Sequence, residues 1–264
     1  ALDRWRRDGA SRRRCDAEHP DATLPHGLRP LAADLVARTI ANASSFFEWG
    51  GGGGAEVFAR LLKRGGHVGA VDHVRPRCEA AAASPFSRCL QAAGALHRRC
   101  VEAKNVNLVK GDYPARWVKN ASDTSEASAF SDYVAAVRDA PAPYDVVYVA
   151  GRFRVACLLE ALPYVKNTSV ALLYQAARYL SIDKRMNRAA PARKYIRGPK
   201  SAYYFPRSGN KIRVGMRMNA VVFRYYALAE IKENIVVLRP RLPLSDFQKA
   251  SWPVDVAQAR LDPS

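Results

Sequence analysis

The sequence FFEWGGGGGAEVF, from Phe46 to Phe58, joins an apolar run to a helix-like segment through five consecutive glycines. Glycine is unfavourable inside helices and strands because it loses the most backbone freedom on folding. Five together predict a turn in which the backbone takes unusual dihedral angles or is approached closely by another group.

Strand-like and helix-like segments alternate on both sides of this turn. The last two strand-like segments are apolar on consecutive residues, as expected when both faces of a sheet are covered. The pattern predicts a doubly wound, mostly parallel α/β sheet. Strands are predicted at 44–49, 67–73, 106–112, 144–151 and 168–176, and helices at 28–43, 55–64, parts of 78–103 with a break near Pro85, 129–139 and 154–165.

The alternation of strand-like and helix-like segments ends after Arg178. Two strand-like segments within 201–214 and 218–228 are joined by a loop around Gly209. So short a link cannot make a parallel crossover, so an antiparallel hairpin at the sheet edge is predicted. The chain is divided into a basic N-terminal arm (1–27), an α/β domain (28–238) and a proline-rich tail (239–264) that is expected to be extended.

The net charge of +18 is unevenly distributed. The segment 178–241 carries 16 basic and three acidic residues, which favours a polyanionic partner such as RNA, an anionic membrane surface or an acidic protein face. A hydrophobic fraction of 48% is ample for a core. No apolar run approaches the roughly 20 residues of a membrane-spanning helix.

The five cysteines are an odd number without a CxxC pair, so we expect reduced, packed thiols rather than disulfides or a zinc site. No segment has the pattern of a signal peptide, and the N-x-S/T sequons at Asn42, Asn120 and Asn167 are therefore weak indicators. A basic chain with reduced thiols suits an organelle, either mitochondrion or plastid, with the cytoplasm as the alternative.

A glycine-rich turn between the first strand and the next helix is where this architecture binds nucleotides. No Lys-Ser/Thr follows, which excludes a Walker phosphate loop. Asp72 ends the second predicted strand, where an acid accepts hydrogen bonds from ribose hydroxyls, and Asp112 ends the third. Such aspartates also serve as turn or N-cap residues, but together with the glycines they favour a nucleoside-type pocket.

Three segments carry a family resemblance: Phe47–Gly52 (FEWGGG), Val71–His73 (VDH) and Gly151–Cys157 (GRFRVAC). Over about residues 28–230 the chain resembles class I S-adenosylmethionine-dependent methyltransferase-like proteins. The resemblance implies a seven-stranded Rossmann-like sheet with an antiparallel last strand, and S-adenosylmethionine as cofactor. It places the cofactor's methionine end beside Glu48, Gly50, Gly51 and Gly52, its ribose at Asp72 and its adenine near Asp112.

The sequence departs from this family at two strand ends. Ala150 stands where relatives have Asp, and Tyr174-Gln175 stands where they commonly have His-Asp. These replacements remove candidate bases and metal ligands together, so no metal is expected and no catalytic residue is identified. One hypothesis is a degenerate member with impaired catalysis, serving as a structural or interaction subunit of a larger assembly. The alternative is an active methyltransferase acting on RNA or another anionic acceptor.

Overall fold

The structure is a computed structural model that describes residues 14–15, 17–18, 28, 30–50, 54–63, 65–101, 130–139, 143–176, 221–233 and 235–260. Its strands are Ser45–Trp49 (β1), His67–Asp72 (β2), Leu96–Cys100 (β3), Tyr144–Val149 (β4), Val165–Tyr174 (β5), Tyr226–Lys232 (β6) and Ile235–Pro240 (β7). Its helices are Pro30–Ile40 (α1), Gly54–Leu61 (α2), Arg75–Ala83 (α3), Pro85–Ala92 (α4), Ser131–Ala135 (α5), Arg154–Ala161 (α6) and Asp246–Arg260 (α7). Short 3-10 turns follow α5 and α6, at Ala136–Asp139 and Leu162–Tyr164.

The strands form one seven-stranded sheet in the order β3-β2-β1-β4-β5-β7-β6. The first five strands in this order pair in parallel, and β7 runs antiparallel to both β5 and β6. This confirms the predicted fold class. The chain leaves β1 toward β2 and β3 and later returns on the other side of β1 as β4, so the strand order reverses between β1 and β4. In open α/β sheets, ligands bind outside the carboxyl ends of the strands at such a point.

Helices cover both faces of the sheet. Successive side chains of a strand point to opposite faces, so β1 sends Phe47 and Trp49 to one side and Phe46 and Glu48 to the other. The first face packs against α5, α6 and α7, and the second against α1, α2 and α4. The apolar runs FFEW and DVVYV are explained by this double coverage.

The predicted break near Pro85 is confirmed. Helix α3 ends at Ala83 and α4 begins at Pro85, with Ser84 between them. The Ser84 hydroxyl accepts a hydrogen bond from the Ser87 amide at 3.1 Å, a typical N-cap contact. Proline is well tolerated at the first helical position because its missing N–H would have no partner there.

The third strand differs from its prediction. The described β3 lies at Leu96–Cys100, inside a segment predicted to be partly helical, whereas the predicted strand at 106–112 lies outside the described residues. The sequence LHRRC looks too polar for a strand of a buried sheet. The side chain of Arg98 is nevertheless buried, and its charge is compensated by Glu56 on α2, whose Oε1 lies 2.5 Å from Nη2 of Arg98.

The antiparallel hairpin exists but lies farther along the chain than predicted. It is formed by β6 and β7, with Glu233 at a positive φ of 51° in the turn. Residues 221–225, expected in a strand, are helical, and the predicted segment 201–220 lies outside the described residues. Val222 and Tyr225 are buried in this short helix, so their apolar character fitted either structure.

The expected extended tail is also corrected. Residues 246–260 form α7, which contains Pro253. The Trp252 indole Nε1 donates to the Leu159 carbonyl at 3.0 Å, and Arg260 Nη2 donates to Glu160 Oε2 at 2.8 Å. Packing against α6 therefore overrides the low helix propensity that proline brings.

The expectation that all the cysteines are reduced thiols is wrong. Cys15 is bonded to Cys89 and Cys78 to Cys100, and the remaining thiol, Cys157, is buried. The first bond ties an N-terminal segment to α4, and the second ties α3 to β3. An odd count without CxxC pairs was misleading, because both bonds join residues that only the fold brings together.

Across the part of the chain that the structure describes, every helix is too short or too polar to cross a membrane.

Candidate functional site

The carboxyl ends of β1, β2 and β4 are joined by backbone hydrogen bonds at the strand-order reversal. The Gly50 amide donates to the Val71 carbonyl at 2.8 Å, and the Ala150 and Gly151 amides both donate to the Trp49 carbonyl, at 3.0 and 2.9 Å. The glycine turn thus begins where the sequence predicted a ligand crevice.

Gly50 is required by backbone packing. Its φ is +84°, and a Cβ there would lie 2.3 Å from the Gly151 Cα. A Cβ on Gly151 would in turn lie 1.9 Å from the Tyr133 hydroxyl. The Tyr133 side chain therefore fills the space beside both glycines. Gly51 and Gly52, the other two predicted site glycines, lie outside the described residues.

Glu48 is a buried acid two residues before the turn. It pairs in register with Ala70 on one side and Tyr148 on the other, and its exposed fraction is 1%. Burial raises its pKa to about 8, although the nearby Arg98 acts in the opposite direction. Glu48 is therefore mainly protonated at neutral pH, and its buried Oε2 has no hydrogen-bond partner among the described residues.

Asp72 lies where the sequence predicted, at the carboxyl end of β2, and it is almost fully buried. Its Oδ1 accepts from the Val74 amide at 2.9 Å, and its Oδ2 accepts from Arg77 Nη2 at 2.7 Å. The structure therefore gives Asp72 a backbone partner in the turn after β2 and a salt-bridge partner in the first turn of α3. Asp112 lies outside the described residues, so its predicted position beside the crevice stays a prediction.

His73 follows Asp72 and packs between two aromatic rings. Its ring centroid lies 5.4 Å from that of Phe130 and 5.1 Å from that of Tyr133. Burial lowers the pKa of His73 to about 4, with the Asp72 carboxylate opposing that shift. His73 is therefore a neutral, buried ring at neutral pH and a weak base.

Arg154 organises the ends of β4 and β5. It donates to the Gly151 carbonyl at 2.7 Å and the Ala150 carbonyl at 2.9 Å, and it approaches Gln175 Oε1 at 3.4 Å. Phe153, which precedes Arg154, and Gln175, just after the end of β5, have positive φ values of 50° and 52°. Residues 149–151 and 174–176, at the carboxyl ends of β4 and β5, contain no carboxylate.

The structure brings Glu48, Gly50 and Asp72 to one edge, as predicted. Sequence reasoning missed the partners Arg77, Tyr133 and Arg154. Arg77 could have been suspected from its position five residues after Asp72, in the first turn of the helix that follows. Tyr133 could not, because its contact with the glycines joins residues far apart in the chain. Among the described residues, no group of three or more His, Cys, Asp or Glu side chains is placed to hold a metal ion.

Comparison with known proteins gives structural similarities at low identity. No family model matches the chain, and no curated protein matches it. A methyltransferase-like protein from Silicibacter pomeroyi is 17% identical, covers 89% of this chain and 98% of its own, and superposes with a TM-score of 0.51.

Two O-methyltransferase structures superpose less well. The one from Bacillus cereus, in complex with SAH, is 12% identical with a TM-score of 0.44, and covers 87% of this chain and 90% of its own. A putative O-methyltransferase from Klebsiella pneumoniae is 13% identical with a TM-score of 0.45, and covers 88% and 90%. On the first similarity and the strand order, this chain has the fold of a methyltransferase-like protein.

Proposed function

We propose that the chain binds S-adenosylmethionine at the carboxyl edge of its sheet and has impaired capacity for base-assisted methyl transfer. The observation that carries the proposal is the meeting of Asp72, Glu48 and the Gly50 turn at the reversal of strand order. Glycine turns and strand-end acids at this position are suited to nucleoside ligands.

The residues fit an adenosyl group chemically. The Asp72 carboxylate is an acceptor suited to ribose hydroxyls, and Glu48 Oε2 is a buried oxygen to which no described residue gives a hydrogen bond. Arg77 now holds Asp72, but its side chain is 49% exposed. The Asp72 side chain is 3% exposed and Arg77 reaches water, so ribose hydroxyls that bind Asp72 can take the place of the guanidinium and release it into solvent.

When bound, S-adenosylmethionine supplies an electrophilic methyl group. The chain's part is to hold the cofactor and to take the acceptor's proton where the acceptor needs a base. The ends of β4 and β5 carry Ala150 and Gln175 instead of carboxylates. The nearby His73 is buried, with a pKa of about 4. Together these features support binding with weak or absent proton abstraction.

The role proposed with impaired catalysis is that of a basic subunit in a larger assembly with a polyanionic partner. The net charge of +18 supports it. Most of the basic residues in 178–241 lie outside the described ranges, so the proposal rests on the sequence. If the chain binds RNA through phosphate contacts, the logarithm of the binding constant should fall steeply and linearly with the logarithm of the salt concentration. A flat salt dependence removes RNA from the partners.

The central experiment is equilibrium dialysis of radiolabelled S-adenosylmethionine against the full chain. We expect saturable binding that Asp72→Asn weakens by at least about tenfold, since a hydrogen bond to a charged group contributes about 1.5–3 kcal/mol. Asp145→Asn is the matched control, because Asp145 is a hydrogen-bonded aspartate at the opposite edge of the sheet. It should leave the affinity unchanged. No binding at millimolar cofactor overturns the proposal.

Catalysis is tested separately by incubating the labelled cofactor with RNA and other anionic acceptors. Binding without label transfer supports the impaired member. Stoichiometric or catalytic transfer instead supports the active enzyme and overturns the impaired-catalysis part. Circular dichroism of each variant checks that the fold is kept.

A further inference from the structure

The two disulfides indicate where this chain folds. Their Cα–Cα separations are 5.7 Å for Cys15–Cys89 and 5.6 Å for Cys78–Cys100, within the range of ordinary disulfides. Four of the five cysteines are thus placed for bonding, in pairs that are 74 and 22 residues apart in sequence. Structural disulfides form and persist in oxidising compartments such as the endoplasmic reticulum lumen.

Two sequons lie in the described part of the chain, and the asparagine of each is exposed. Asn42-Ala43-Ser44 lies in the turn between α1 and β1, and the side chains of Asn42 and Ser44 both face solvent. Asn167-Thr168-Ser169 lies where β5 departs from regular pairing with β4, between the pairs Tyr144–Val165 and Val146–Val170. Asn167 is exposed, whereas the Ser169 hydroxyl is buried and donates to the Tyr144 carbonyl at 2.6 Å.

The two sequons lie together at the amino edge of the sheet. Asp145, near the start of β4, accepts from the Ser44 amide at 2.8 Å and from Lys166 Nζ at 2.8 Å. One side chain therefore links the two sequon segments. Because β1, β4 and β5 are parallel, this edge is opposite the Gly50 turn and Asp72. Bulky groups there would leave the candidate cofactor site open.

We propose that Asn42 and Asn167 carry N-linked oligosaccharides, attached as the chain enters the endoplasmic reticulum lumen, where its disulfides also form. In the attachment step, the Asn amide nitrogen bonds to the anomeric carbon of an oligosaccharide diphosphate lipid. The carbon–oxygen bond to the diphosphate breaks, the lipid diphosphate leaves, and the amide nitrogen loses one proton. Each disulfide forms by passing two electrons and two protons from the thiols to a disulfide-carrying oxidoreductase of that compartment.

The buried Ser169 sets the order of events at the second site. Its hydroxyl must be accessible for the sequon to be recognised, so Asn167 is modified before β5 packs onto β4. Asn42 and Ser44 are exposed in the folded chain, so the first sequon is open before and after folding. We therefore expect Asn42 to carry an oligosaccharide in a larger fraction of the chains than Asn167.

The test directs the full chain into the endoplasmic reticulum lumen of cultured cells with a leader. Every version carries Asn120→Gln, so that the third sequon does not contribute. We expect the parent to lose mass on treatment with peptide N-glycosidase. Asn42→Gln and Ser44→Ala should each remove one oligosaccharide, Asn167→Gln should remove the other, and Ser44→Thr should keep both. Identical mobility of the parent and the Asn42→Gln variant overturns the proposal.

A second measurement uses the protein captured by antibody from its own cells. Peptide mapping without reductant should show the Cys15–Cys89 and Cys78–Cys100 peptides linked, and peptide N-glycosidase should convert Asn42 to aspartate. An unmodified Asn42 peptide together with free thiols at Cys78 and Cys100 overturns both the glycosylation and the compartment. Neither measurement depends on cofactor binding, so the inference can fail independently of the proposed function.

Discussion

The guanidinium of Arg77 donates two hydrogen bonds to the carboxylate of Asp72, from Nε at 3.1 Å and from Nη2 at 2.7 Å, both to Oδ2. Asp72 ends β2, and Arg77 lies in the first turn of α3, the next helix. The basic side chain thus holds an oxygen that a ribose would need, so cofactor affinity should depend on how readily this pair separates.

Replacing Arg77 with Met should strengthen S-adenosylmethionine binding by about fivefold or more, because the ribose hydroxyls no longer compete with the guanidinium for the Asp72 carboxylate; fivefold corresponds to roughly 1 kcal/mol. Titration calorimetry checks this. Arg75→Met is the control, because Arg75 lies on the same helix and pairs with the exposed Glu79 rather than with Asp72. Unchanged or weaker binding by the Arg77 variant contradicts a displaceable pair.

Glu48 should make the protein less stable as pH rises. Its folded pKa of about 8 lies above the ordinary value of 4.5, so the folded chain holds a proton that the unfolded chain releases between these values. This contribution is fully present below pH 4.5 and is lost as pH rises through about 8.

Glu48→Gln removes this dependence, so its stability relative to the wild type should improve by a few kcal/mol between about pH 5 and about pH 8. Urea denaturation at both pH values measures the difference between the two proteins. His73, whose pKa is lowered to about 4, makes both proteins less stable on acidification. Because this effect is the same in the wild type and in the variant, it cancels in the difference between them. Parallel pH profiles would show that Glu48 is ionised in the folded chain.

Gly151→Ala should destabilise the protein by about 1–3 kcal/mol, the usual range for overpacking, because its methyl group meets the Tyr133 hydroxyl. Tyr133→Phe removes the contacting oxygen, so the double variant should recover part of the loss. Chemical denaturation of all four proteins gives the coupling energy. Additive costs would remove Tyr133 as the obstacle.

Removing the disulfides should cost stability in the order of their loop lengths. The chain-entropy relation gives roughly 4 kcal/mol for Cys15–Cys89 and roughly 3 kcal/mol for Cys78–Cys100. Paired Cys→Ser variants, unfolded in urea without reductant, measure each. Reductant should lower the stability of the wild type to that of the variant that lacks both disulfides. It should leave the stability of that variant unchanged. A wild type that is insensitive to reductant contradicts both bonds.

The local patterns around the glycine turn were sufficient to predict four of the five parallel strands. Phe46 and Val147 lie in short runs of consecutive apolar residues, which a sequence shows directly. The strand containing Arg98 was missed because its charge is neutralised by Glu56, a residue 42 positions away. The hairpin was displaced because Val222 and Tyr225 are as apolar in a helix as in a strand.

The acidic residues of the candidate site could be predicted from the sequence, but the residues that pack around them could not. Asp72 and Glu48 follow from strand ends and a glycine motif, both of which are local. Tyr133 packs against Gly151 from a helix on one face of the sheet, and Cys15 reaches Cys89 across the fold. Such contacts depend on three-dimensional packing, which leaves no periodic trace in the sequence.

The Trp252 and Arg260 contacts of α7 determine where recombinant versions of this protein can safely end. Truncation before residue 246 would uncover the α6 surface around Leu159 and leave the buried Glu160 with Arg138 as its remaining described cation. Such a shortened chain should aggregate or be degraded during expression. Affinity tags and fusion partners therefore belong beyond Arg260.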